Sequence, residues 1–277
     1  MQQFTSTRIA PTPSGFLHLG NAYSFALTAA LAKRSGAQIL LRIDDLDRKR
    51  VKSEYLADIF DTLSYLEIPW DTGPRDYHEY EATFSQVHRM ALYEDALRQL
   101  RAKGVVFACD CSRTTLLNGH PQGVYTGACK TKRLSLDTPG CSWRIDTAAA
   151  ALPEYMQYFV VRKKDGFPAY QLASLVDDTH FGIDLVVRGS DLWESTQAQT
   201  YLAEVLGYPA FRDATFCHHP LLTANGQEKL SKSAGATSVR YFRRQGIAKE
   251  EIYQTIGRLL GLAYPVYGWQ DLVPSIG

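Results

Sequence analysis

The sequence predicts an α/β fold with a doubly wound parallel sheet, and three patterns near the N-terminus indicate it. Residues 5–10 read as a short strand, and a loop containing Pro11 and Gly15 follows. Apolar residues recur at helical spacing over 21–34 and again over 53–66. Between these two stretches, residues 38–43 form a compact apolar run that is typical of a buried parallel strand. A strand–helix–strand–helix order of this kind predicts βαβ units and a parallel sheet.

The remainder of the chain continues this pattern around one irregular stretch. Helical spacing predicts helices over 84–103, 191–206 and 249–262, and strand patterns appear at 157–162 and 183–188. The cysteine-containing stretch after residue 106 has little periodicity and reads as an insertion. We therefore expect a Rossmann-type domain in two halves, a metal-binding insertion between them and a short helical C-terminal segment, with boundaries 1–106, 107–145, 146–233 and 234–277.

Composition places the chain among ordinary globular proteins. Of its 277 residues, 45% are hydrophobic and 21% charged, and 30 basic residues nearly balance 29 acidic ones. Any binding to nucleic acid is therefore expected to use a local basic patch or shape rather than bulk charge. No run of eighteen apolar residues suggests a membrane span, and residues 1–8 lack a signal-peptide core, so we expect a cytoplasmic protein that binds no membrane.

A loop with phosphate-binding character follows the first predicted strand. Residues 8–21, here called the histidine motif, read Arg-Ile-Ala-Pro-Thr-Pro-Ser-Gly-Phe-Leu-His-Leu-Gly-Asn. His18 and Gly20 stand at a helix start, where backbone N–H groups and the helix dipole favour anions. Gly20 would let a nucleotide approach closely, and His18 would donate to a phosphate oxygen. The alternative is a simple strand-to-helix turn with a surface histidine.

A second polar segment lies about two hundred residues later. Residues 229–233, here called the lysine motif, read Lys-Leu-Ser-Lys-Ser and follow Asn-Gly-Gln-Glu at 225–228. Glycine and polar residues around two lysines predict a flexible loop. Taken alone, such a run is more typical of a solvated surface.

Together, and in this order, the two motifs resemble the paired signatures of class I aminoacyl-tRNA synthetases, in particular the glutamyl branch. The resemblance implies that a carboxylate attacks the α-phosphate of ATP, with Mg²⁺ bridging the departing pyrophosphate. It implies catalytic roles for His18, Lys229 and Lys232. It also implies an ATP site formed by Pro11, Ser14, Gly15, His18, Gly20, Asn21 and Lys232.

Three further segments, 41–47, 170–178 and 186–192, resemble glutamyl-type enzymes. The resemblance implies that Arg8, Asp44, Tyr170 and Arg188 hold L-glutamate. Two arginines and one acid complement two carboxylates and one ammonium. The family usually carries Glu where this chain has Asp44. The alternative for the acidic residues at 44, 45 and 47 is strand-end capping or pairing with Arg42 and Arg48.

Five cysteines, three of them between Cys109 and Cys129, favour a reducing compartment and a metal site over a disulfide framework. Cys109, Cys111 and Cys129 supply three thiolates, one ligand short of a closed structural zinc site. The spacing Tyr125 to Cys129 resembles short glutamyl-type enzymes in which a tyrosine oxygen is the fourth ligand. His120 or a water is the alternative fourth ligand, and three buried thiols without metal are the alternative to a metal site.

The length of the C-terminal segment bears on which molecule is expected to accept the activated glutamate. Only 44 residues follow Ser233, and full-length glutamyl-tRNA synthetases continue with helical anticodon-binding domains. We therefore expect no anticodon reading of that kind. The short length and the cysteine pattern resemble the glutamyl-Q tRNA(Asp) synthetase family, which implies transfer of glutamate to the queuosine base of tRNA(Asp). The working expectation is a monomer. Two alternatives are a ligase with a non-tRNA acceptor and a non-catalytic RNA-binding relic, in which Arg240, Arg243 and Arg244 contact phosphates or are simply solvated.

Overall fold

The structure is a computed structural model that describes residues 2–112, 114, 124–224, 228–229 and 238–272, excluding the side chains of residues 224, 228 and 229. The chain forms two compact units. The first comprises Met1–His88, Ile183–Asp191 and Ala214–Gly277, and the second comprises Arg89–Gly182 and Leu192–Asp213. The predicted domain boundaries at 106, 145 and 233 stay predictions.

The described strands are, in chain order, β1 (Ser6–Ile9), β2 (Gln38–Leu41), β3 (Val106–Cys109), β4 (Ser142–Ile145), β5 (Val160–Arg162), β6 (Leu185–Gly189), β7 (Thr215–His219), β8 (Thr223–Ala224) and β9 (Glu228–Lys229). The longer described helices are α1 (Leu19–Ser35), α2 (Ser53–Tyr65), α3 (Met90–Ala102), α4 (Tyr170–His180), α5 (Trp193–Leu206), α6 (Pro209–Asp213), α7 (Val239–Arg244) and α8 (Lys249–Leu259). Among the described residues, none of the helices combines the length and apolar character that crossing a membrane would require.

A four-stranded parallel sheet with the order β2-β1-β6-β7 forms the centre of the first unit. The register pairs Arg8 with Leu40 and Arg188 with His218. All four strands therefore end at the same edge of the sheet, where open α/β sheets bind their ligands. This arrangement confirms the predicted parallel α/β fold.

Helix α1 packs against this sheet and is buried along most of its length. Small and aromatic side chains, among them Ala22, Phe25, Ala26 and Ala29, are 6% exposed or less. The helix ends at Gly36, whose left-handed conformation (φ 77°) suits a residue without Cβ. Burial on nearly every side explains why the sequence of α1 shows only a weak amphipathic stripe.

The predicted helix over 84–103 starts too early. The α-helix begins at Met90, after a π-helical turn (Tyr80–Phe84) and a 3-10 turn (Gln86–Arg89). The buried carboxylate of Asp45 explains the delay, because it accepts hydrogen bonds from the Ser85 hydroxyl and from the Gln86 amide at 2.9 Å. The Gln86 amide that binds Asp45 is not available to continue a helix.

Two other predicted boundaries are wrong by a few residues for backbone reasons. The strand expected from 157 begins at Val160, because Tyr158 has a positive φ of 51° that an extended strand cannot contain. The helix expected to reach 262 ends at Leu259, ahead of Gly261 with φ 67°.

The second unit contains the antiparallel sheet β3-β4-β5 and helices α3 to α6. Asp177 of α4 is fully buried and accepts hydrogen bonds from Arg89 Nε at 2.9 Å and from the Tyr93 hydroxyl at 2.7 Å. These hydrogen bonds connect α4 to Arg89, which precedes α3, and to Tyr93 within α3, and they compensate the burial of the carboxylate.

Candidate active site and metal centre

His18 is the N-cap of α1 and is held by a reciprocal pair of hydrogen bonds. Its Nδ1 accepts from the Gly20 amide at 3.1 Å, and its own amide donates to Asn21 Oδ1 at 3.1 Å. Because Nδ1 acts as an acceptor, the neutral ring carries its proton on Nε2. His18 therefore offers a donor at a helix N-terminus, beside backbone N–H groups that favour anions.

Gly20 lies directly beneath the His18 ring. A Cβ at position 20 would lie 2.9 Å from His18 Cε1 and 3.0 Å from Nδ1. The structure thus gives Gly20 a role besides the predicted approach of a nucleotide, since its missing side chain makes room for the catalytic candidate itself. A Cβ at Gly15 would meet nothing within 4 Å. The predicted ATP contacts of Gly15, Ser14, Pro11 and Asn21 stay predictions.

The proline part of the histidine motif is bonded to the loop after β2. The carbonyl of Pro11 accepts a hydrogen bond from the Asp44 amide at 2.9 Å, and Ser14 donates its amide to the Thr12 carbonyl at 2.9 Å. The predicted nucleotide loop and the predicted acidic glutamate ligand therefore belong to adjoining loops of one unit.

The chain that follows the lysine motif is bonded to the histidine motif. Ser238 forms an antiparallel bridge with His18, and the Val239 amide donates to the Leu17 carbonyl at 2.8 Å. The backbone of Lys229 lies in β9, paired with β8. The side chain of Lys229 and all of Lys232 lie outside the described residues, so their predicted contacts remain predictions.

Three of the four predicted glutamate ligands lie at the carboxyl edge of the parallel sheet. Arg8 at the end of β1 is 5% exposed, and its Nη1 donates to the Val187 carbonyl at 3.4 Å. Arg188 of β6 is 4% exposed and lies over the Phe216 ring at 5.0 Å. Tyr170 is the first residue of α4 in the second unit and is exposed.

Asp44, the third ligand at this edge, is engaged by Arg42. Nε and Nη2 of Arg42 donate to the two carboxylate oxygens at 2.7 and 3.1 Å. The neighbouring Asp45 pairs with Arg48 and accepts from the Tyr80 hydroxyl at 2.6 Å. The ion pairs named as the alternative for this acidic cluster are therefore present. They do not exclude a substrate contact, because a carboxylate has about four acceptor positions.

Sequence reasoning missed His219 at the end of β7. Its Nδ1 lies 2.9 Å from the Pro220 carbonyl, and its ring meets Tyr23 of α1 edge-on at 4.6 Å. Burial is the main reason that the pKa of His219 lies below its usual range, so the ring is neutral at pH 7. The sequence signal for such a residue is a histidine at the carboxyl end of a parallel strand.

The three predicted cysteine ligands form a cluster in the second unit. The sulfur atoms of Cys109, Cys111 and Cys129 lie within 4.8 Å of one another, with 3.4 Å between Cys111 and Cys129. Tetrahedral zinc with Zn–S bonds near 2.3 Å sets sulfurs about 3.8 Å apart, so the spacing suits that metal. The clustering supports the predicted metal site, and zinc binding itself stays a prediction.

Tyr125 lies beside this cluster, and its hydroxyl accepts a hydrogen bond from the Cys129 amide at 2.8 Å. Burial and a hydrogen bond with the Cys129 side chain raise the pKa of Tyr125 and outweigh the opposite effect of the Cys129 amide, so without a metal the phenol is protonated. Burial also raises the pKa of Cys109, but hydrogen bonding to Arg144 and to the Cys111 amide outweighs it and lowers the pKa to about 7. The other proposed fourth ligand, His120, lies outside the described residues.

Comparison with known proteins finds a family model and several relatives that match this chain. A family model described as "tRNA synthetases class I (E and Q), catalytic domain" matches residues 5–135 and 143–271. A protein of Synechococcus sp. (strain CC9605) named glutamyl-Q tRNA(Asp) synthetase is 37% identical over 91% of this chain and 80% of its own length. A protein of Syntrophus aciditrophicus (strain SB) named glutamate–tRNA ligase 2 is 32% identical over 97% of this chain and 60% of its own length.

Among solved structures, a glutamate tRNA ligase from Elizabethkingia meningosepticum CCUG26117 in complex with its amino acid superposes with a TM-score of 0.68 at 23% identity. The alignment covers 84% of this chain and 53% of that one, so this chain spans about half its length. The similarity supports the fold, and the predicted class I synthetase architecture is confirmed.

Proposed function

Because the chain belongs to the catalytic-domain family of class I tRNA synthetases (E and Q), we propose that it activates glutamate with ATP and transfers it to the queuosine base of tRNA(Asp). The observation that carries the proposal is the bonding of the segment after the lysine motif to the residues that present His18. This bonding holds Ser238 and Val239, which follow the lysine motif by five and six residues, beside the helix N-terminus. It supports the proposal that both motifs act at one site.

In the first step, a glutamate carboxylate oxygen attacks the α-phosphorus of ATP. A new O–P bond forms, the bond to the bridging oxygen breaks and pyrophosphate leaves with its electron pair. Nε2–H of His18 is proposed as a fixed donor to a phosphate oxygen, and the positive end of the α1 dipole favours the same anion. Lys229 and Lys232 are proposed to add cationic charge on the pyrophosphate. Mg²⁺ bound with ATP would neutralise further phosphate charge.

Glutamate recognition is assigned to charges at the carboxyl edge of the sheet. Arg8 and Arg188 are proposed to bind the two carboxylates, for which the planar guanidinium offers paired donors. Asp44 is proposed to accept from the ammonium while Arg42 keeps its carboxylate oriented. Tyr170 is proposed to add a hydroxyl contact.

A structural zinc ion is proposed at Cys109, Cys111 and Cys129, with Tyr125 as the fourth ligand. Sulfur ligands at this spacing and a hydroxyl beside them fit a four-coordinate site. When bound, the ion would fix the fold of the insertion. The chain's contribution is to hold the three sulfurs together between β3 and the turn at Ala128–Lys132.

Queuosine as the acceptor rests on the comparisons alone. Relatives named glutamyl-Q tRNA(Asp) synthetase are 31–37% identical to this chain, and relatives named glutamate–tRNA ligase are 32% identical. The support for this acceptor is the printed name of the former relatives.

The test has two stages. Purified protein is first assayed for ATP–pyrophosphate exchange with glutamate in the absence of tRNA, and activity is expected. Labelled glutamate is then offered with tRNA(Asp) that contains or lacks queuosine, and with tRNA(Glu) as control. Label is expected only on the queuosine-containing tRNA.

Each other outcome points to a different function. Absence of ATP–pyrophosphate exchange would contradict the proposal that the protein forms an adenylate. The remaining alternative would then be a non-catalytic RNA-binding relic. Exchange without label on any tRNA would indicate a different acceptor, and label on queuosine-free tRNA(Glu) would count against the queuosine proposal.

A further inference from the structure

Helix α2 carries an acid on its buried face. Asp58 is 2% exposed and lies one turn before Thr62, on a second buried side of the helix next to the apolar stripe of Leu56, Ile59 and Leu63. Burying a carboxylate is costly unless a partner compensates it, and an apolar residue of the same size would usually serve packing as well. Asp58 therefore calls for an explanation other than core packing.

The carboxylate of Asp58 binds the backbone of the histidine motif. Its Oδ2 accepts a hydrogen bond from the Leu17 amide at 3.0 Å, and its Oδ1 lies 3.5 Å from Nη2 of Arg243 in α7. The Leu17 carbonyl accepts from the Val239 amide at 2.8 Å. Both polar backbone groups of the residue before His18 are thus held from outside the loop, one by α2 and one by the start of α7.

The residue before Leu17 is held between the same two helices. The Arg240 guanidinium of α7 lies 4.2 Å from the centre of the Phe16 ring and 3.5 Å from Glu54 of α2. Tyr55 of α2 meets Phe16 edge-on at 4.9 Å. Arg240 and Arg243 therefore contact acids and an aromatic ring in this structure, rather than forming the simply solvated basic turn considered from the sequence.

We propose that Asp58 is a positioning residue for nucleotide binding, acting through Leu17 on the orientation of His18. Asp58 fixes the peptide plane between Phe16 and Leu17, while Val239 fixes the next one. Because both peptide planes are fixed, the φ and ψ angles of Leu17 are fixed as well. These two angles set the orientation of the His18 backbone, and therefore the direction in which its side chain points. The inference rests on the proposed function insofar as His18 contacts the phosphates of ATP.

The side chains around Asp58 separate this role from a contribution to stability. Arg243 also pairs with Asp61 at 2.9 Å, so it keeps a carboxylate partner when Asp58 is replaced. Burial raises the pKa of Asp58, which shows that its charged form is not favoured by its surroundings. Replacement of Asp58 by leucine removes a buried charge that costs stability. Its main consequence is that the Leu17 amide loses its hydrogen-bond acceptor.

The experiment compares D58L, D58N and the matched control D61N in the full chain. D58L removes the acceptor, D58N keeps one oxygen of similar geometry, and D61N changes the exposed neighbour that contacts Arg243 but not Leu17. Binding of MgATP is measured by calorimetry, and KM values for ATP and glutamate are measured by pyrophosphate exchange. Thermal melting checks that each variant folds.

The Kd for MgATP is expected to rise about tenfold in D58L, because a misoriented His18 loses its hydrogen bond to a charged phosphate, and such a bond contributes about tenfold or more to affinity. D58N is expected to recover most of this loss and to remain about threefold weaker than the wild type. D61N is expected to stay within about twofold, as is usual for exposed ion pairs. The KM for glutamate is expected to be unchanged in all three.

Wild-type affinity for MgATP in D58L would overturn the inference, as would equal losses for ATP and glutamate or an equal loss in D61N. If D58L does not fold, the comparison of D58N with D61N tests the inference. A larger loss of MgATP affinity in D58N than in D61N supports the positioning role, and equal Kd values for MgATP in the two variants overturn it. A wild-type protein that binds MgATP but shows no glutamate-dependent exchange contradicts the proposed substrate, and the binding comparison still tests Asp58.

Discussion

At the scale of single residues, His18 combines a structural and a chemical role. Helix N-caps are usually Ser, Thr, Asp or Asn, whose oxygen accepts from the first turn. Here Nδ1 of an imidazole accepts from Gly20, and the reciprocal bond to Asn21 completes a capping box. The cap fixes the ring tautomer, so the donor at Nε2 is oriented before any nucleotide binds. The hydrogen bonds that form the start of α1 are therefore the same ones that orient the His18 ring.

Gly20→Ala tests this coupling. Alanine is the better helix former by about 1 kcal/mol, and loss of the His18 cap costs a similar amount, so the melting temperature is expected to stay close to that of the wild type. The new Cβ would lie 2.9 Å from His18 Cε1, so the ring must leave its cap position. The KM for ATP in pyrophosphate exchange is expected to rise about tenfold or more.

The matched control is Ser35→Ala at the other end of α1, where the hydroxyl bonds only to backbone carbonyls of the preceding turn. Its KM for ATP is expected to equal that of the wild type. A Gly20→Ala protein with unchanged KM would show that the position of the His18 ring does not matter for nucleotide binding.

At the scale of elements, sequence patterns located the strands and helices well wherever the cause is local. The apolar run at 38–43 and the periodic stretch at 53–66 correspond to β2 and α2. The prediction was wrong where a distant side chain intervenes, as with Asp45, which binds Ser85 and Gln86 and delays α3. The periodicity of residues 84–89 carries no information about Asp45, which lies some forty positions earlier in the chain. The contact with Asp45 is tertiary, and tertiary contacts override local helix propensity.

The cysteine cluster permits a prediction about metal removal. Cys129→Ser is expected to lower the zinc content of purified protein from about one per chain to a small fraction, because three first-sphere sulfurs become two. The melting temperature is expected to fall as well, since structural zinc contributes directly to folding free energy. Elemental analysis and calorimetric melting provide the two measurements.

Cys217→Ser is the control, because Cys217 belongs to β7 and not to the cluster, and its zinc content is expected to stay unchanged. Comparison of Tyr125→Phe with His120→Ala identifies the fourth ligand. Loss of zinc affinity is expected in the tyrosine variant only. Full zinc content in Cys129→Ser would contradict the site.

At the scale of the whole molecule, the sequence proposed members of the site but not the contacts among them. The two motifs, through their resemblance to class I synthetases, indicated His18 and the lysines, and the resemblance to glutamyl-type enzymes indicated Arg8 and Arg188. Those roles stay predictions. Asp58 was missed because helical spacing sets it beside Thr62 and off the apolar stripe of Leu56, Ile59 and Leu63, where a charged residue is usually exposed. The bonds of Leu17 to Asp58 and to Val239 were beyond reach, because they join segments that only the complete fold of the first unit brings together.

The same arrangement sets the expected result for Lys232→Ala. The segment that follows Lys232 is anchored at Ser238 and Val239 to the histidine motif, so removal of the ammonium is expected to leave the fold and the carboxyl edge of the sheet intact. Adenylate formation places growing charge on pyrophosphate, and loss of one such cation is expected to slow exchange about a hundredfold or more. Glutamate binding, measured by calorimetry, is expected to stay within about twofold, because its proposed ligands are Arg8, Asp44, Tyr170 and Arg188. Lys33→Ala, which removes a lysine from the last turn of α1, is the control for loss of charge alone. Equal losses of exchange and of glutamate binding in Lys232→Ala would show that the lysine serves the amino acid rather than the phosphates.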